Sequence, residues 1–588
     1  MQKTDRIKGF FNNNRTELFL VAALFMVFCI LMVVFHNYFG HLVIDCGREA
    51  YFPLEMLKGK VLYKDIFNIF GPLSYQLNAF FYKIFGVSLD TLRLVGALNA
   101  LVILSLLYTI SRIFTSKLIA WASTLFLIIS CAFHPWIFNY IFPYSYAMTY
   151  AFSAFLFSVL FLMLYLKTHK SFLIPLSWFF LGVSIASKYE YLLYALFLGV
   201  FTLFMKVAKK LKWRYLFYSL VSILIVPIIS FSILFLQGLT IPELINQIEI
   251  IKKFALSPSL NHFYASAVGL YPKKQNLKWC WFAFKSFFPM FVFLLWSAYF
   301  YFKCSAGGKK KIFKLFISLV FVGISLYYLS SNLVGNFSFA FCWLPLFTLL
   351  IFCIIAFRVI RNKNYPKDGV YTVFIFISLI TSVKSFFYLN LGAYGTFALP
   401  LLFLVNSIFV VEYLPEYLKF VNKSYLKKAY TVVVLSLVVL YSGNFLLFYK
   451  NGYSLLNTER GAVYNHNSVV TSYQGAIDYI NKYMSPSDTF LVMPEGIMLN
   501  FLTNHSSKSI YYATNTPYLE TFGENKVITD IKKDPPNYIF LNNRNSGDYG
   551  PRYMCDDYGF KICDYVKTDY KKVTDFGSGF KMTLYKKN

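Results

Sequence analysis

Apolar segments of about 18 to 22 residues recur along the first three quarters of the chain, and a helix of that length crosses the hydrocarbon core of a membrane. Backbone groups inside a membrane must pair within their own segment, so such segments favour helices. The clearest segments are 18–35, 92–110, 118–133, 144–166, 216–236, 287–302, 315–329, 339–357 and 431–448. Weaker segments, interrupted by polar residues, are 172–186, 192–205, 370–383 and 396–411. The pattern predicts a mainly α-helical, polytopic membrane protein with about thirteen transmembrane helices.

The composition excludes both a soluble globular protein and a disordered chain. Of the 588 residues, 57% are apolar and only 14% are charged, whereas soluble proteins carry roughly 25% charged residues. A disordered chain needs low hydrophobicity, and in this chain 21% of the residues are aromatic.

The net charge of +29 would favour a nucleic-acid partner if the basic residues lay on a soluble surface. They concentrate instead in alternate short loops, at 206–214, 303–314, 358–367 and 419–428. Basic loops stay in the cytoplasm. We therefore predict a multi-pass membrane protein with a cytoplasmic N-terminus, contacts with membrane lipids and no nucleic-acid partner. The first span has no cleavage site after it and is expected to be retained.

The composition changes near residue 450. Residues 451–588 lack long apolar segments and show short patterns, helical at 472–484, 495–502 and 520–533 and strand-like at 489–493, 509–512, 537–541, 560–565 and 580–585. We predict a membrane domain, 1–450, and a small α/β domain, 451–588, placed outside the cytoplasm by an odd number of spans. Cys555 and Cys563 can pair in an oxidising compartment, but the sequence leaves their pairing open.

Acidic residues are scarce in the membrane domain. Only thirteen precede residue 450, and five of these lie in the first external loop, 36–91: Asp45, Glu49, Glu55, Asp65 and Asp90. A carboxylate near a lipid boundary is costly unless it is solvated or paired, which favours a functional role for Asp45. The alternative is that Asp45 forms an ordinary ion pair with Arg48 in a hydrated loop.

This loop also carries a family resemblance. After the long first span come VIDCGREAYFP, LYKDIF, FGPLSYQLNAFFYKIFG and the TLR that opens the second span. This order resembles the integral-membrane glycosyltransferases of the GT-C superfamily, in particular bacterial relatives of protein O-mannosyltransferases and aminoarabinose transferases (glycosyltransferase family 39-like). The later external segment KSFFYLNLGAYGTFALP is similar to the same class. The resemblance implies transfer of a sugar from a polyprenyl-phosphate carrier to a lipid, glycan or protein acceptor at the outer face of the bacterial inner (cytoplasmic) membrane.

The resemblance assigns roles to individual residues. Asp45 matches the catalytic acid position and is expected to be the general base. Glu49, one helical turn later, either tunes the pKa of Asp45, positions the acceptor, or pairs with Arg48 or Lys58. The candidates for binding the lipid phosphate or the substrate are Arg48, Lys58, Lys64, Asp65, Arg93, His134, Lys188, Glu190, Lys384 and Tyr394.

Lys188 and Lys384 each have an alternative interpretation. Lys188 and Glu190 interrupt an apolar stretch, which favours function, but the two opposite charges also suit the cap of a re-entrant turn. Lys384 stands on an external segment with few cations, yet a lysine at the end of a span commonly extends to the headgroups.

The sequence departs from the family pattern in its second external loop, HPWIFNYIFPYS, which has no acid. Either His134 substitutes for the second carboxylate, or Glu49, Asp65 or Glu190 does, or none is required. His134 is otherwise an interfacial residue. No cofactor is predicted, and no compact cluster of ligands supports a divalent metal.

Segment 238–285 has helical spacing in IPELINQIEIIKKFAL and is expected to form an interfacial helix, which either covers the site or packs across the surface. Two other classes of function make different predictions. A transporter or flippase of lipid-linked saccharides predicts internal repeats and broken spans, which are not evident. A polysaccharide polymerase or ligase predicts external loops rich in arginine. The oligomeric state is not readable from the sequence.

Overall fold

The computed structural model describes residues 2–303, 310–333, 336–361, 366–418, 421–450 and 452–588. Eighteen helices precede residue 451 in these ranges: α1 Gln2–Phe35, α2 Cys46–Leu57, α3 Leu73–Phe85, α4 Leu89–Phe114, α5 Lys117–Leu127, α6 Tyr146–Thr168, α7 Leu173–Ser187, α8 Leu192–Val207, α9 Trp213–Leu236, α10 Ile241–Ala255, α11 Pro258–Val268, α12 Lys273–Lys303, α13 Lys310–Leu333, α14 Leu344–Arg361, α15 Pro366–Thr381, α16 Gly395–Ile408, α17 Leu414–Tyr417 and α18 Lys423–Lys450.

Each of the thirteen predicted spans overlaps a helix. Among the described residues, nine helical segments are long and apolar enough to cross a membrane, and three shorter apolar helices, in α5, α7 and α13, accompany them. The mainly helical membrane fold is therefore confirmed, whereas the count of thirteen is not. Helices α7 and α15 have only 15 and 16 residues, fewer than the roughly 20 that a full span needs.

The helices differ in how far they are enclosed by others. In α16, 94% of the apolar window is buried, whereas in α9 only 17% is buried. The exposed side of α9 presents large apolar side chains such as Phe217, Leu224 and Ile228. Large apolar side chains exposed on this scale are explained by contact with lipid. Helix α16 therefore lies near the centre of the bundle and α9 at its periphery.

After residue 451 the chain forms six strands and five helices: β1 Tyr453–Thr458, β2 Gly461–His466, α19 Asn467–Tyr483, β3 Phe490–Met493, α20 Met498–Thr503, α21 Thr516–Phe522, α22 Glu524–Lys533, β4 Tyr538–Asn542, α23 Phe560–Asp569, β5 Tyr570–Phe576 and β6 Met582–Lys587. Strands β1 and β2 form an antiparallel pair, and the others form a sheet in the order β3-β4-β6-β5. Only the β3–β4 pair is parallel. The small C-terminal α/β fold is thus confirmed.

Three local predictions in this domain were wrong. Segment 560–565, predicted as a strand, is the start of α23, because Ile562 and Val566 are buried at helical spacing and Glu524 accepts hydrogen bonds from the first backbone N–H groups of the helix. Segment 509–512 is irregular. The helix predicted at 520–533 is divided at Gly523, whose φ of +79° breaks the helical path.

The C-terminal domain packs directly on the first predicted external loop. Tyr473 donates a hydrogen bond to the carbonyl of Leu42 at 2.6 Å, and Tyr51 accepts one from the backbone N–H of Ser507 at 2.7 Å. At Gly47 in α2, an added Cβ would lie 2.6 Å from the backbone nitrogen of Met498, so the start of α20 touches the α2 backbone. The loop and the domain therefore form one packed unit.

Candidate functional site

The site begins at the turn that leads into α2. His41 Nδ1 accepts hydrogen bonds from the backbone N–H groups of Val43 and Ile44, each at 3.2 Å, which tightens this turn. Asp45 follows as the N-terminal cap of α2 with φ 41° and ψ −54°. A positive φ in a non-glycine residue costs on the order of 1–3 kcal/mol and persists only where the surroundings enforce it. The packing of α2 thus holds Asp45 in an unusual conformation.

Arg48 is held between two carboxylates. Its Nη1 lies 3.3 Å from Asp45 Oδ1, and its Nε donates to Glu49 Oε1 at 3.0 Å. Its Nη2 donates to the carbonyl of Tyr144 at 2.9 Å, which connects α2 to the segment that precedes α6. The guanidinium is buried, so these partners compensate for its lost hydration.

Glu49 is fully buried and has several donors. Besides Arg48, it accepts hydrogen bonds from the Tyr75 hydroxyl at 2.9 Å and from the backbone N–H of Tyr146 at 2.8 Å. Both carboxylate oxygens are therefore engaged by the protein. Glu49 is therefore placed to orient Arg48, and its carboxylate is not free to contact an acceptor.

The Asp45 side chain is more exposed to solvent than that of Glu49. Its side chain retains 33% of its exposure, and among the described residues its recorded ion pair is with Arg48. Burial raises the pKa of Asp45, while Arg48 and Arg544 oppose the rise. An accessible carboxylate with increased proton affinity is suited to accept a proton from a bound group.

A second cation lies close to Arg48. Lys188 Nζ donates to the Tyr144 hydroxyl at 2.6 Å and lies 3.2 Å from Glu190 Oε1. Lys188 Nζ and the Arg48 guanidinium lie 4.9 and 5.0 Å from the centroid of the Phe70 ring. Both cations thus share Tyr144 and Phe70 as neighbours, which places them in one cluster.

Lys384 joins this cluster through Glu190, because its Nζ pairs with the same Oε1 that pairs with Lys188. The Lys384 ammonium lies 5.4 Å from the centroid of the Tyr264 ring and 5.3 Å from that of Tyr394. We call Arg48, Lys188 and Lys384 the cation cluster. It brings together residues from three segments that are far apart in the sequence.

A cavity of about 210 Å³ opens beside Lys384 and Glu190. Its remaining wall is mostly apolar and aromatic, and it includes Met148, Tyr194 and Phe397. A charged end next to an apolar wall is the arrangement that an amphiphilic anion requires.

The other predicted residues lie elsewhere. Lys58 pairs with Glu55 at 3.0 Å and lies at the contact with the C-terminal domain, and Lys64 donates to the carbonyl of Gly238 at 3.0 Å. Asp65 accepts the backbone N–H of Val61 at 2.8 Å within a turn. Arg93 is buried and donates to the carbonyl of Phe39 at 2.9 Å. None of these recorded contacts is with the cation cluster.

His134 is also buried, and its Nδ1 accepts the backbone N–H of Trp136 at 3.3 Å. Burial lowers the pKa of His134 to about 3. The imidazole is therefore neutral at physiological pH and a weak base, which does not suit it to replace a carboxylate.

The C-terminal domain contributes four residues that sequence reasoning missed. Arg544 Nε lies 2.5 Å from Glu495 Oε2, and its Nη2 lies 3.4 Å from Asp548 Oδ2. The Arg544 guanidinium lies 5.9 Å from the centroid of the Tyr549 ring. This domain has fourteen of the 27 acidic residues, so no scarcity of charge distinguishes Glu495 in the sequence.

These residues act electrostatically on Asp45. The charges of Arg544 and Asp548 contribute to the pKa of Asp45. Burial raises the pKa of Glu495 to about 7, an effect that Arg544 opposes and Asp45 reinforces. The charge of Asp45 therefore acts on Glu495, and those of Arg544 and Asp548 act on Asp45.

Within the described ranges, no group of three or more histidine, cysteine, aspartate or glutamate residues is placed to hold a metal ion. Cys555 and Cys563 form a disulfide with their Cα atoms 5.6 Å apart. The disulfide follows the segment that carries Arg544, Asp548 and Tyr549.

No family model and no curated protein matches the chain. Among solved structures, the chain is similar to ArnT from Cupriavidus metallidurans bound to undecaprenyl phosphate, with 13% identity, coverage of 97% of this chain and 98% of that chain, and a TM-score of 0.47. It is similar to the apo state of that ArnT, with 12% identity, coverage of 96% and 98%, and a TM-score of 0.44. It is also similar to the archaeal oligosaccharyltransferase AglB from Archaeoglobus fulgidus in complex with an inhibitory peptide and a dolichol-phosphate, with 12% identity, coverage of 97% and 74%, and a TM-score of 0.44.

Proposed function

We propose that this protein is a membrane glycosyltransferase that moves a sugar from a polyprenyl-phosphate carrier to an acceptor at the outer face of the cytoplasmic membrane. The observation that carries the proposal is the position of the accessible Asp45 carboxylate, which pairs with one member of the cation cluster next to an amphiphilic cavity. A base for the acceptor and cations for a leaving phosphate are the two groups that this transfer requires.

In the proposed reaction, Asp45 removes the proton from a hydroxyl or amine of the acceptor. The acceptor atom then forms a bond to the anomeric carbon of the sugar, and the bond from that carbon to the phosphate oxygen breaks. The leaving polyprenyl phosphate takes the electron pair. Arg48, Lys188 and Lys384 balance its increasing negative charge, and fixed cations of this kind stabilise the transition state more than the ground state.

The carrier lipid is accommodated by the apolar side of the site. Lys384 and Glu190 lie at the charged end of the cavity, and aromatic and aliphatic side chains from α6, α8 and α16 line the rest of it. Helix α11 lies over this region, since Tyr264 contacts Lys384 and the carbonyl of Val268 accepts the backbone N–H of Phe387 at 3.0 Å. Helix α11 is thus the proposed cover over the lipid phosphate.

The test is the substitution Asp45→Asn in the full chain, purified in lipid nanodiscs. The donors are undecaprenyl-phosphate-linked monosaccharides, and the acceptors are fractionated envelope lipids, glycans and proteins. We expect Asp45→Asn to lower kcat by about 10²–10⁴, the usual contribution of a general base. Binding of undecaprenyl phosphate should persist, because the substitution leaves the cation cluster in place.

The matched control is Asp556→Asn, which neutralises an exposed carboxylate of the C-terminal domain and should leave transfer unchanged. Transfer by the Asp45→Asn variant at the wild-type rate would exclude Asp45 as the base. Failure of the wild-type protein to bind undecaprenyl phosphate would overturn the proposed donor class.

A further inference from the structure

We propose that Glu495, Arg544, Asp548 and Tyr549 of the C-terminal domain form the acceptor subsite of this transferase, and that the subsite selects uncharged, hydroxyl-bearing acceptors such as neutral glycans. The inference rests on the proposed glycosyl transfer and names the class of acceptor. It concerns a part of the chain that is separated from Asp45 in the sequence by almost the whole membrane domain.

Backbone packing fixes the position of Glu495 relative to Asp45. Glu495 precedes α20, and the first residue of α20, Met498, touches Gly47 in the first turn of α2. The carbonyl of Glu495 also accepts a hydrogen bond from Asn542 Nδ2 at 2.6 Å, which attaches it to the end of β4. The segment that carries Glu495 therefore packs against the first turn of α2, the helix that Asp45 caps.

Arg544 organises the subsite. Besides Glu495 and Asp548, it donates from Nη1 to Ser546 Oγ at 2.7 Å, and Ser546 Oγ lies 3.0 Å from the Tyr558 hydroxyl. The side chains of Glu495 and Arg544 retain only 13% and 9% of their exposure. An ion pair with so little hydration is stabilised by additional hydrogen bonds, and the hydroxyl groups of a bound sugar can provide them.

The charged groups on the two sides of Asp45 have net charges of opposite sign, positive on the phosphate side and negative on the side of the C-terminal domain. On the phosphate side, three cations, Arg48, Lys188 and Lys384, outnumber the carboxylates Glu49 and Glu190. On the side of the C-terminal domain, one cation, Arg544, pairs with two carboxylates, Glu495 and Asp548. An anionic acceptor is repelled from the second side, whereas hydroxyl groups can donate hydrogen bonds to its carboxylates.

Aromatic rings extend from this subsite to the phosphate side. The rings of Tyr549 and Phe263 have centroids 5.5 Å apart, and those of Phe263 and Tyr394 are 6.4 Å apart. Tyr394 in turn contacts Lys384 of the cation cluster. Tyrosine rings provide an apolar face with a polar tip, which matches the apolar face and the hydroxyl groups of a sugar.

The experiment compares Glu495→Gln and Asp548→Asn with the wild-type full chain in nanodiscs. The acceptor probes are neutral envelope oligosaccharides and the same oligosaccharides carrying a phosphate. We expect the wild-type protein to favour the neutral probe. Glu495→Gln should raise the KM for the neutral probe about tenfold, because the variant loses a hydrogen bond to a charged group. The affinity for undecaprenyl phosphate should stay within about twofold, because the cation cluster is unchanged.

The control is Glu459→Gln, which neutralises an exposed carboxylate of the same domain and should change none of these values. If the Glu495–Arg544 ion pair only stabilises the domain, Glu495→Gln would lower the thermal stability and leave the preference for the neutral probe intact. An unchanged acceptor KM in Glu495→Gln, or a wild-type preference for the phosphorylated probe, would overturn the inference while the proposed transfer stands.

A binding measurement keeps the test independent of turnover. Saturation-transfer NMR with the neutral oligosaccharide and undecaprenyl phosphate should detect the oligosaccharide on the wild-type chain and show weaker binding to Glu495→Gln. If the wild-type protein does not bind undecaprenyl phosphate, the proposed function is refuted instead. The two failures are therefore distinguishable.

The pH dependence provides a further readout. Arg544, Asp45, Asp548 and Arg48 are the charged groups that act on Glu495, and burial raises its pKa to about 7. The ionised carboxylate is the better acceptor for hydroxyl donors, so the acceptor KM of wild type should fall as the pH rises through about 7. In Glu495→Gln this change should disappear, and its persistence would assign the titration to another group.

Discussion

Asp45 and Glu49 lie one helical turn apart, yet they have different surroundings. The Glu49 carboxylate accepts hydrogen bonds from Arg48, Tyr75 and the backbone of Tyr146, and no part of it reaches solvent. Asp45 keeps a third of its exposure and pairs with Arg48 at 3.3 Å. At the residue scale, the first external loop therefore separates one carboxylate that holds Arg48 from one that is available to a substrate.

This difference predicts that substitutions of the two residues differ in their effect on stability. Glu49→Ala leaves Arg48 with less compensation for its lost hydration, so unfolding should become easier by about 3 kcal/mol. Asp45→Asn removes a partly exposed charge and relieves no packing, so its Tm should stay close to that of wild type. Thermal unfolding in detergent, followed by intrinsic fluorescence, measures both. Equal Tm values for Glu49→Ala and wild type would refute the structural role of Glu49.

A second prediction at this scale concerns Lys384. Its ammonium pairs with Glu190 and borders the cavity that we assign to the carrier phosphate. Lys384→Met removes a charge-assisted contact, so the affinity for undecaprenyl phosphate should fall about tenfold or more. The control Lys253→Met changes an exposed lysine of α10 and should bind as wild type does. Unchanged binding by Lys384→Met would place the phosphate elsewhere.

At the scale of elements, the contact between α2 and α20 decides which residues meet. It is a backbone contact at Gly47, which no side chain can enter without moving one of the two helices. Helix α11 adds a second connection, since the backbone N–H and Oγ of Ser259 donate to Glu520 Oε2 at 3.1 and 2.7 Å. The C-terminal domain is thus attached both to the loop that carries Asp45 and to α11, the proposed cover over the cation cluster.

Gly47→Ala tests the first connection. The new methyl group would lie 2.6 Å from Met498 N, so the domain must shift, at a cost of about 1–3 kcal/mol. We expect a lower Tm, faster cleavage of the C-terminal domain by protease and reduced transfer. Gly443→Ala in α18, where an added Cβ has no neighbour within 4 Å, is the matched control. Wild-type protease resistance of Gly47→Ala would contradict the proposed docking.

At the scale of the whole molecule, the two ends of the bundle have different chemistry. Helix α4 begins where the backbone N–H of Leu89 donates to the carbonyl of Arg460 at 2.8 Å, and it ends near Thr115, which donates to Glu412 at 3.0 Å. Glu412 pairs with Lys423 and Lys427. One end therefore carries the C-terminal domain, and the other carries basic residues, although parts of three predicted basic loops lie outside the described residues.

This polarity predicts the topology in the cell. Glu459→Cys, in the C-terminal domain, should react with a membrane-impermeant maleimide in intact cells, whereas Lys210→Cys, in the basic loop after α8, should react only after permeabilisation. Both positions are exposed, and the unmodified chain corrects for its native cysteines. Labelling of Lys210→Cys in intact cells would reverse the orientation.

Local sequence patterns were enough to predict where the membrane helices lie, that a small α/β domain follows them, and that Asp45 is a candidate functional residue. These features can be predicted because the length of an apolar segment and the position of an acid near a span depend only on the local sequence. Even so, the helix at 560–569 was misjudged as a strand, since its short apolar pattern fits both periods and Glu524 caps it from another helix.

The charged residues that share the site are selected by tertiary packing. Lys58 and Lys64 lie in the same loop as Arg48 and Arg93 follows it, and all carry a positive charge, but their side chains bind other parts of the fold. Glu495 and Arg544 reach the site because the C-terminal domain packs on the first loop, through contacts such as Tyr473 to Leu42 that join residues 431 positions apart. Such contacts depend on how separately formed elements dock, and no local pattern in the chain encodes that arrangement.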